Sequence, residues 1–423
     1  MMAAEGPVLA AVIARLPDAT FNLAAYGVML AVAFLIESPV VMLMTASTAL
    51  AEDRERYRRL RTFAIALCGG VTLILLLVLI PPVFRFLVPG LVGVPENIAR
   101  LTYGALWLLL PWPASIGYRR FYQGLLIRDG KTRLVAVGTI IRLLGMAGTA
   151  LVLYQRGTLP GALVGAAALS VGVTGEALAS RWMARGSVAR VLATEGGESP
   201  LYYPAIIRFY VPLALTSFIG FAVHPMLTFF MGRAPEPIVS LAVFPVVNAL
   251  VFLFRSSGLA FQEVAITLMG DRYEHLPELR RFALGLGTLT SLGLGLVALT
   301  PLASFWFVTV SGLTPDLARY ALLPILILVP TPFLGAVLSL LRSIMVLAHN
   351  TRPITVATIL EVLTLILVFP LLGQFMGLVG VTAAAGAFLA GRAVSVAFLT
   401  ATSVAAVRAV GPEFARRKAG SGT

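Results

Sequence analysis

The apolar residues of this chain fall in long unbroken runs joined by short polar turns. Residues 21–50, FNLAAYGVMLAVAFLIESPVVMLMTASTAL, hold one charged side chain, Glu37. A helix needs roughly 20 apolar residues to cross a bilayer. On that measure the runs predict spans at about 22–50, 63–83, 101–127, 134–154, 161–184, 205–231, 238–269, 282–310, 320–347, 354–374 and 379–408. Strands of a membrane barrel would be short and alternating, so the runs predict helices. Ahead of the first span lies PVLAAVIARL, ten residues that cannot cross alone.

The pattern repeats. IARLPDA (from Ile13) is echoed by MGRAPEP (from Met231), and GKTRLVAVGTIIRLL (from Gly130) by HNTRPITVATILEVL (from His349). AEDRERYRRLRTFAIAL answers GDRYEHLPELRRFALGL, and PWPASIG answers PTPFLGA, so a Pro-x-Pro kink is expected in the fourth helix of each copy. The expected fold is an all-α integral membrane protein of two six-helix bundles. It has 12 transmembrane helices, the first incomplete by about a dozen residues, because its counterpart starts near Ile206. Six helices per copy bring both copies in from the same side, which makes the repeat parallel, with a pseudo-two-fold axis along the membrane normal. The expected division is an N-terminal lobe at 1–184, a linker at 185–204, a C-terminal lobe at 205–410 and a basic tail at 411–423.

Composition agrees: of 423 residues 59% are hydrophobic and 12% charged, with mean hydropathy +0.93, beyond what a water-soluble domain carries. The net charge of +13 does not point to nucleic acid, because the basic residues are spread among short loops. Loops after even-numbered helices and the tail hold 19 of them, and the alternate loops hold six: Arg15, Arg85, Arg100, Arg156, Arg233 and Arg319. By the positive-inside rule both termini are expected to be cytoplasmic, in a multi-pass protein of the cell membrane. One cysteine, Cys68, excludes an internal disulfide.

The remaining charges lie at membrane depth: Arg119, Arg120, Arg142, Arg208, Arg255, Arg342 and Arg392, with Glu37, Glu176, Glu263 and Glu361. Each costs on the order of 3 kcal/mol facing lipid, so they are expected to face inward. Helical spacing agrees, with Gly138, Arg142, Gly145 and Thr149 on one face and Thr355, Thr358, Glu361 and Thr364 on another. Gly165, Gly172, Glu176 and Ser180 mark a third, and Arg255 and Glu263 share a side with Asn248 and Gln262. The repeat sets Glu37 against Arg255 and Arg142 against Glu361. One expectation is a charge switch in a shared cavity, with Arg392, Glu263 and Glu176 on the substrate path and Asn248 and Gln262 as secondary polar groups. The alternative is structural ion pairs without a substrate role. His224, before Pro225, is either a proton site or a packed histidine beside a kink. GLLIRDGKT fails as a phosphate loop by spacing and context, and no metal cluster or catalytic triad stands out.

RFYVPLALTSFIG at 208–220 and MGLVGVTAAAGAFLAG at 376–391 resemble the multidrug/oligosaccharidyl-lipid/polysaccharide (MATE-like) exporter superfamily, and within it the progressive ankylosis branch. The resemblance implies a V-shaped pair of lobes around a cavity open alternately to either side, with proton or sodium coupling in some members. It implies export of organic cations or drugs, flipping of lipid-linked sugars, or efflux of pyrophosphate, nucleotide or citrate. The arginines favour an anion, since guanidinium holds phosphate or carboxylate through paired donors. The expectation is a monomeric transporter in the lipid bilayer, exporting an anionic small molecule and needing no cofactor, with coupling to a proton or sodium ion left open. The alternatives are a lipid-linked oligosaccharide flippase, a multidrug antiporter and, distantly, a membrane-embedded transferase. No nucleic-acid partner is expected.

Overall fold

The computed structural model of the chain describes residues 5–195, 202–269, 273–348 and 352–420; the side chains of 263, 267 and 405–420 lie outside that description. The regular elements described are all helices. The first half carries α1 (Glu5–Ala14), α2 (Ala19–Val41), α3 (Leu43–Leu50), α4 (Arg54–Val78) and the short α5 (Pro81–Arg85). It continues with α6 (Glu96–Leu108), α7 (Trp112–Arg128), α8 (Thr132–Arg156), α9 (Gly161–Met183) and α10 (Arg185–Ala193). The second half carries α11 (Tyr203–Met231), α12 (Pro237–Leu268), α13 (Leu276–Leu299), the short α14 (Leu302–Ser304) and α15 (Pro315–Leu328). It ends with α16 (Thr331–Leu347), α17 (Arg352–Pro370) and α18 (Gly380–Gly420). Stretches of π-helix lie at Phe86–Val92, Phe305–Val310 and Leu371–Phe375.

Among the described residues ten helical stretches are long and apolar enough to cross a membrane, so the chain is a multi-pass membrane protein. The span expected at 101–127 is instead two helices, α6 and α7, because proline at 111 and 113 cannot donate to the preceding turn. The same break separates α15 from α16 at Pro330 and Pro332. Backbone specials recur likewise. Asp18, Gly93 and Gly157 have positive φ, and so do Glu236, Gly312 and Gly377, which follow them by 218, 219 and 220 residues. The phosphate-loop-like GLLIRDGKT is the turn between α7 and α8, with Gly130 at φ 71°.

The chain divides into two compact units. The first takes Met1–Arg233, Pro237–Pro245 and Ser311–Leu313, and the second takes Ala234–Glu236, Val246–Val310 and Thr314–Thr423. These do not follow the repeat boundary, since α11 packs along α2 in the first unit. There α8 lies on α9 and α7 lies against α3, α4 and α9. In the second, α17 and α18 pair, α13 lies on α16, and α15 and α16 both pack on α18.

Close approaches need glycine. A Cβ at Gly172 would come within 2.9 Å of the Arg142 carbonyl oxygen, which lets α8 and α9 meet along the small faces expected from sequence. A Cβ at Gly124 would overlap the Ser47 hydroxyl and the Met44 carbonyl on α3. Gly124→Ala is therefore expected to lower stability by about 1–3 kcal/mol through overpacking. Gly70→Ala, where a Cβ meets nothing within 4 Å, should be neutral or stabilising. Thermal denaturation of both variants in detergent checks the contrast.

Candidate functional site

The buried charges form one cluster in each unit. In the first unit Glu176 on α9, fully buried, is the centre. Its Oε2 lies 2.8 Å from Arg119 Nη1 and 3.4 Å from Arg142 Nε, and its Oε1 accepts from Gln123 Nε2 at 3.0 Å. Arg119 and Gln123 stand one helical turn apart on α7, so both reach the same carboxylate. Arg142 on α8 extends its other arm to the Glu5 carboxylate on α1. Two guanidinium groups thus face two carboxylates, and the cluster is neutral. Its walls are small: a Cβ at Gly138 would lie 3.5 Å from the Glu176 side chain.

Glu37 on α2 is buried beside this cluster. It accepts a hydrogen bond from the Trp112 indole N–H and, among the described residues, has no basic group within ion-pair distance. Arg120, the neighbour of Arg119, has Glu37 as its main opposite charge and points a guanidinium nitrogen to Met44 Sδ at 3.7 Å.

The second unit is built differently. Arg392 Nη2 on α18 pairs with Glu361 Oε1 on α17 at 3.0 Å. Arg392 and Arg255, the latter on α12, both lie over the ring of Phe388, at 5.2 and 5.1 Å from its centre. Such placement stabilises a cation without neutralising it. Arg342 on α16 shares the electrostatic neighbours of Arg255, namely Arg392 and Glu361. Among the described residues neither Arg255 nor Arg342 has an ion-pair or hydrogen-bond partner. Three guanidinium groups therefore surround one carboxylate, and both unpaired arginines are only partly buried.

The pairs that the repeat sets in opposition have local surroundings: Arg142 bonds to Glu5 and Glu176, Glu37 to Trp112, and Glu361 to Arg392. None of Glu37, Arg142, Glu176 and Glu361 is exposed to lipid. Asn248 and Gln262 are half-buried, and the Gln262 carbonyl accepts from the Ser343 hydroxyl at 3.1 Å. The Glu263 side chain lies outside the described residues. His224 sits between the rings of Phe34 and Phe244, with centroids 5.3 and 5.2 Å away, and its buried Nδ1 has no hydrogen-bond partner among the described residues. It stands on α11, one residue before Pro225.

Outside the spans, Asp129 after α7 ties down α10. Its Oδ2 accepts from the Ser187 hydroxyl at 2.6 Å, from Lys131 Nζ at 3.1 Å and from Arg190. Burial works to raise its pKa, but these three bonds outweigh it and hold the carboxyl below its ordinary range. A depressed carboxylate contributes stability that is complete above the unfolded value and is lost as pH falls through the folded one. Asp129→Asn should accordingly lower the melting temperature at pH 7 and match the parent protein at the acid end of that window.

No family model matches the chain, and no curated protein matches it in sequence. Solved structures do match. The lipid II flippase MurJ in its inward closed conformation superposes with a TM-score of 0.72 at 12% identity, over 96% of this chain and 87% of that one. An inward-facing multidrug resistance MATE family transporter of the MOP superfamily gives 0.68 at 14% identity, over 97% and 94%. A Vibrio cholerae MATE transporter, VcmN in the bent form, gives 0.61 at 14%, over 97% and 98%. The fold is MATE-like. At these identities the likeness speaks of the MATE-like fold alone, so the chemistry of this chain rests on its own residues.

Those residues include several that sequence reasoning left out of its site. Arg119, Gln123 and Arg342 complete the two clusters, as do Glu5 and Phe388. A signal existed for Arg119 and Gln123, whose spacing of four puts two polar groups on one face of an apolar helix. Nothing local marked Glu5, which lies 137 residues from its partner.

Proposed function

We propose that the chain is a MATE-like membrane transporter that exports an anionic small molecule bearing phosphate or carboxylate, bound at Arg255, Arg342 and Arg392 of the second unit. The observation that carries this reading is the charge excess there: three guanidinium groups against Glu361 alone among the described side chains. Guanidinium forks hold phosphate or carboxylate in bidentate geometry, and an anion would relieve the mutual repulsion of the three. The buried cluster of the first unit, with two guanidinium groups against two carboxylates, offers no such excess. The role of the first unit in this reading is coupling: Glu37, bonded among the described residues to the Trp112 N–H alone, can take up and release a proton without breaking an ion pair. The chain works as a monomer with both termini cytoplasmic.

The test is uptake into proteoliposomes of pyrophosphate, citrate and nucleotide, each against cationic dyes. Accumulation of one of the anions, driven by a pH gradient and lost in Glu37→Gln while gradient-free exchange persists, is the expected result. Dye transport without anion transport would overturn it.

A flippase for a lipid-linked substrate is the second reading, favoured by the TM-score of 0.72 against the lipid II flippase. It too would use the arginine cluster, on a pyrophosphate linkage. Translocation of a lipid-linked oligosaccharide in vesicles, with no uptake of soluble anions, would select it.

A further inference from the structure

A groove of about 490 Å³ runs along the first unit between α4, α7 and α9, away from the charge cluster. Its lining is apolar, with Ile65, Cys68, Ala114 and Leu178 among its walls. At its floor the hydroxyls of Ser115 and Thr174 satisfy each other at 3.1 Å. Ile65 is 51% exposed and Leu178 66%, so the lips are large apolar side chains, as a surface against acyl chains requires.

One end of the groove is polar. Arg61 lines it and, among the described residues, has no acidic partner. Arg181 lies over the ring of Tyr122 at 5.1 Å from its centre. Tyr122 is 1% exposed, with its hydroxyl near those of Tyr57 and Tyr118. A bilayer around the spans would put this end at headgroup depth. Trp182, 64% exposed beneath Arg185, follows Arg181 directly, and exposed tryptophan beside arginine marks the interfacial belt. From Arg61 to Gly69, which also lines the groove, α4 descends about 12 Å, from headgroup level into the acyl region.

We propose that this groove holds an anionic phospholipid of the surrounding bilayer. Its phosphate would sit on Arg61 and Arg181, with one acyl chain laid along Ile65, Gly69 and Leu178. A positive, partly desolvated mouth above an apolar channel open to the membrane fits a lipid better than a soluble anion, which has nothing to place in the channel. The proposal is independent of what the protein transports.

The full-length protein in detergent can be titrated with phosphatidylglycerol and with phosphatidylcholine and read by native mass spectrometry. A phosphatidylglycerol carrying a diazirine on its acyl chain then locates the site by crosslinking. Binding of phosphatidylglycerol about tenfold tighter is expected, with crosslinks confined to residues 61–69 and 174–178. Arg61→Gln should remove that preference while leaving the crosslinks in place. Gly69→Leu, whose Cβ enters open space, should fill the groove and abolish the crosslinks without lowering the melting temperature. Equal binding of the two lipids, crosslinks elsewhere, or crosslinks unchanged in Gly69→Leu would each overturn the proposal.

Discussion

Glu176→Gln is expected to cost the protein about 3–5 kcal/mol, the penalty for breaking a buried ion pair from one side. The substitution leaves Arg119 and Arg142 buried, with Glu5 as the one described carboxylate still within ion-pair distance of either. Arg119 is 1% exposed and cannot turn to water, so its charge stays where it is. The buried pair itself need not stabilise the fold relative to apolar residues of the same shape. The double variant Arg119→Met with Glu176→Gln tests this, because it removes one charge of each sign and leaves Arg142 paired with Glu5. Its melting temperature in detergent should recover most of the loss, giving a coupling energy of opposite sign to the single effects. A Glu176→Gln protein that melts with the parent would show that the cluster is already hydrated and carries no such strain. Arg142→Gln should behave like Glu176→Gln, so lost transport in that variant would first report lost structure.

Much of the fold can be read from the chain because a bilayer allows few arrangements. Long apolar runs can only be helices, and proline at 111, 113, 330 and 332 must interrupt them, since a missing N–H leaves a carbonyl unpaired. The inward direction of Arg142 and Glu361 was legible for a related reason: small and polar residues at steps of three and four define a face that lipid would not tolerate. Partners were not legible. Sequence repeats align equivalent positions, and equivalence says nothing of contact, so the opposition of Arg142 to Glu361 gave no hint of Glu5 or Glu176. Contacts also override the repeat in α11, which stands in the second copy by sequence and packs on α2 in the first unit. Arg119 and Arg120 are adjacent and so point about 100° apart on α7. Only the fold decides that one meets Glu176 and the other faces Glu37 and Met44.

On the anion reading, Arg255→Gln is expected to weaken anion transport while leaving the fold intact, and the asymmetry of the second cluster is the reason. Arg255 has no carboxylate partner among the described residues, so its removal strands no buried charge and relieves its repulsion with Arg392. The melting temperature should hold or rise. Losing one charge-assisted contact to a phosphate or carboxylate weakens binding by about 1.5–3 kcal/mol, roughly ten- to a hundredfold in affinity. Arg255→Lys keeps the charge but not the planar fork that stacks on Phe388, and an intermediate affinity is expected. Arg392→Gln provides the contrast, because it takes away the one described group within ion-pair distance of the buried Glu361 carboxylate, and it should fall in both melting temperature and transport. Measured together by thermal denaturation and proteoliposome uptake, the three variants separate binding from structure. If Arg255→Gln lost stability to the same degree as Arg392→Gln, the unpaired arginine would be a structural charge with an unseen partner. If it kept full uptake, the anion site would lie elsewhere.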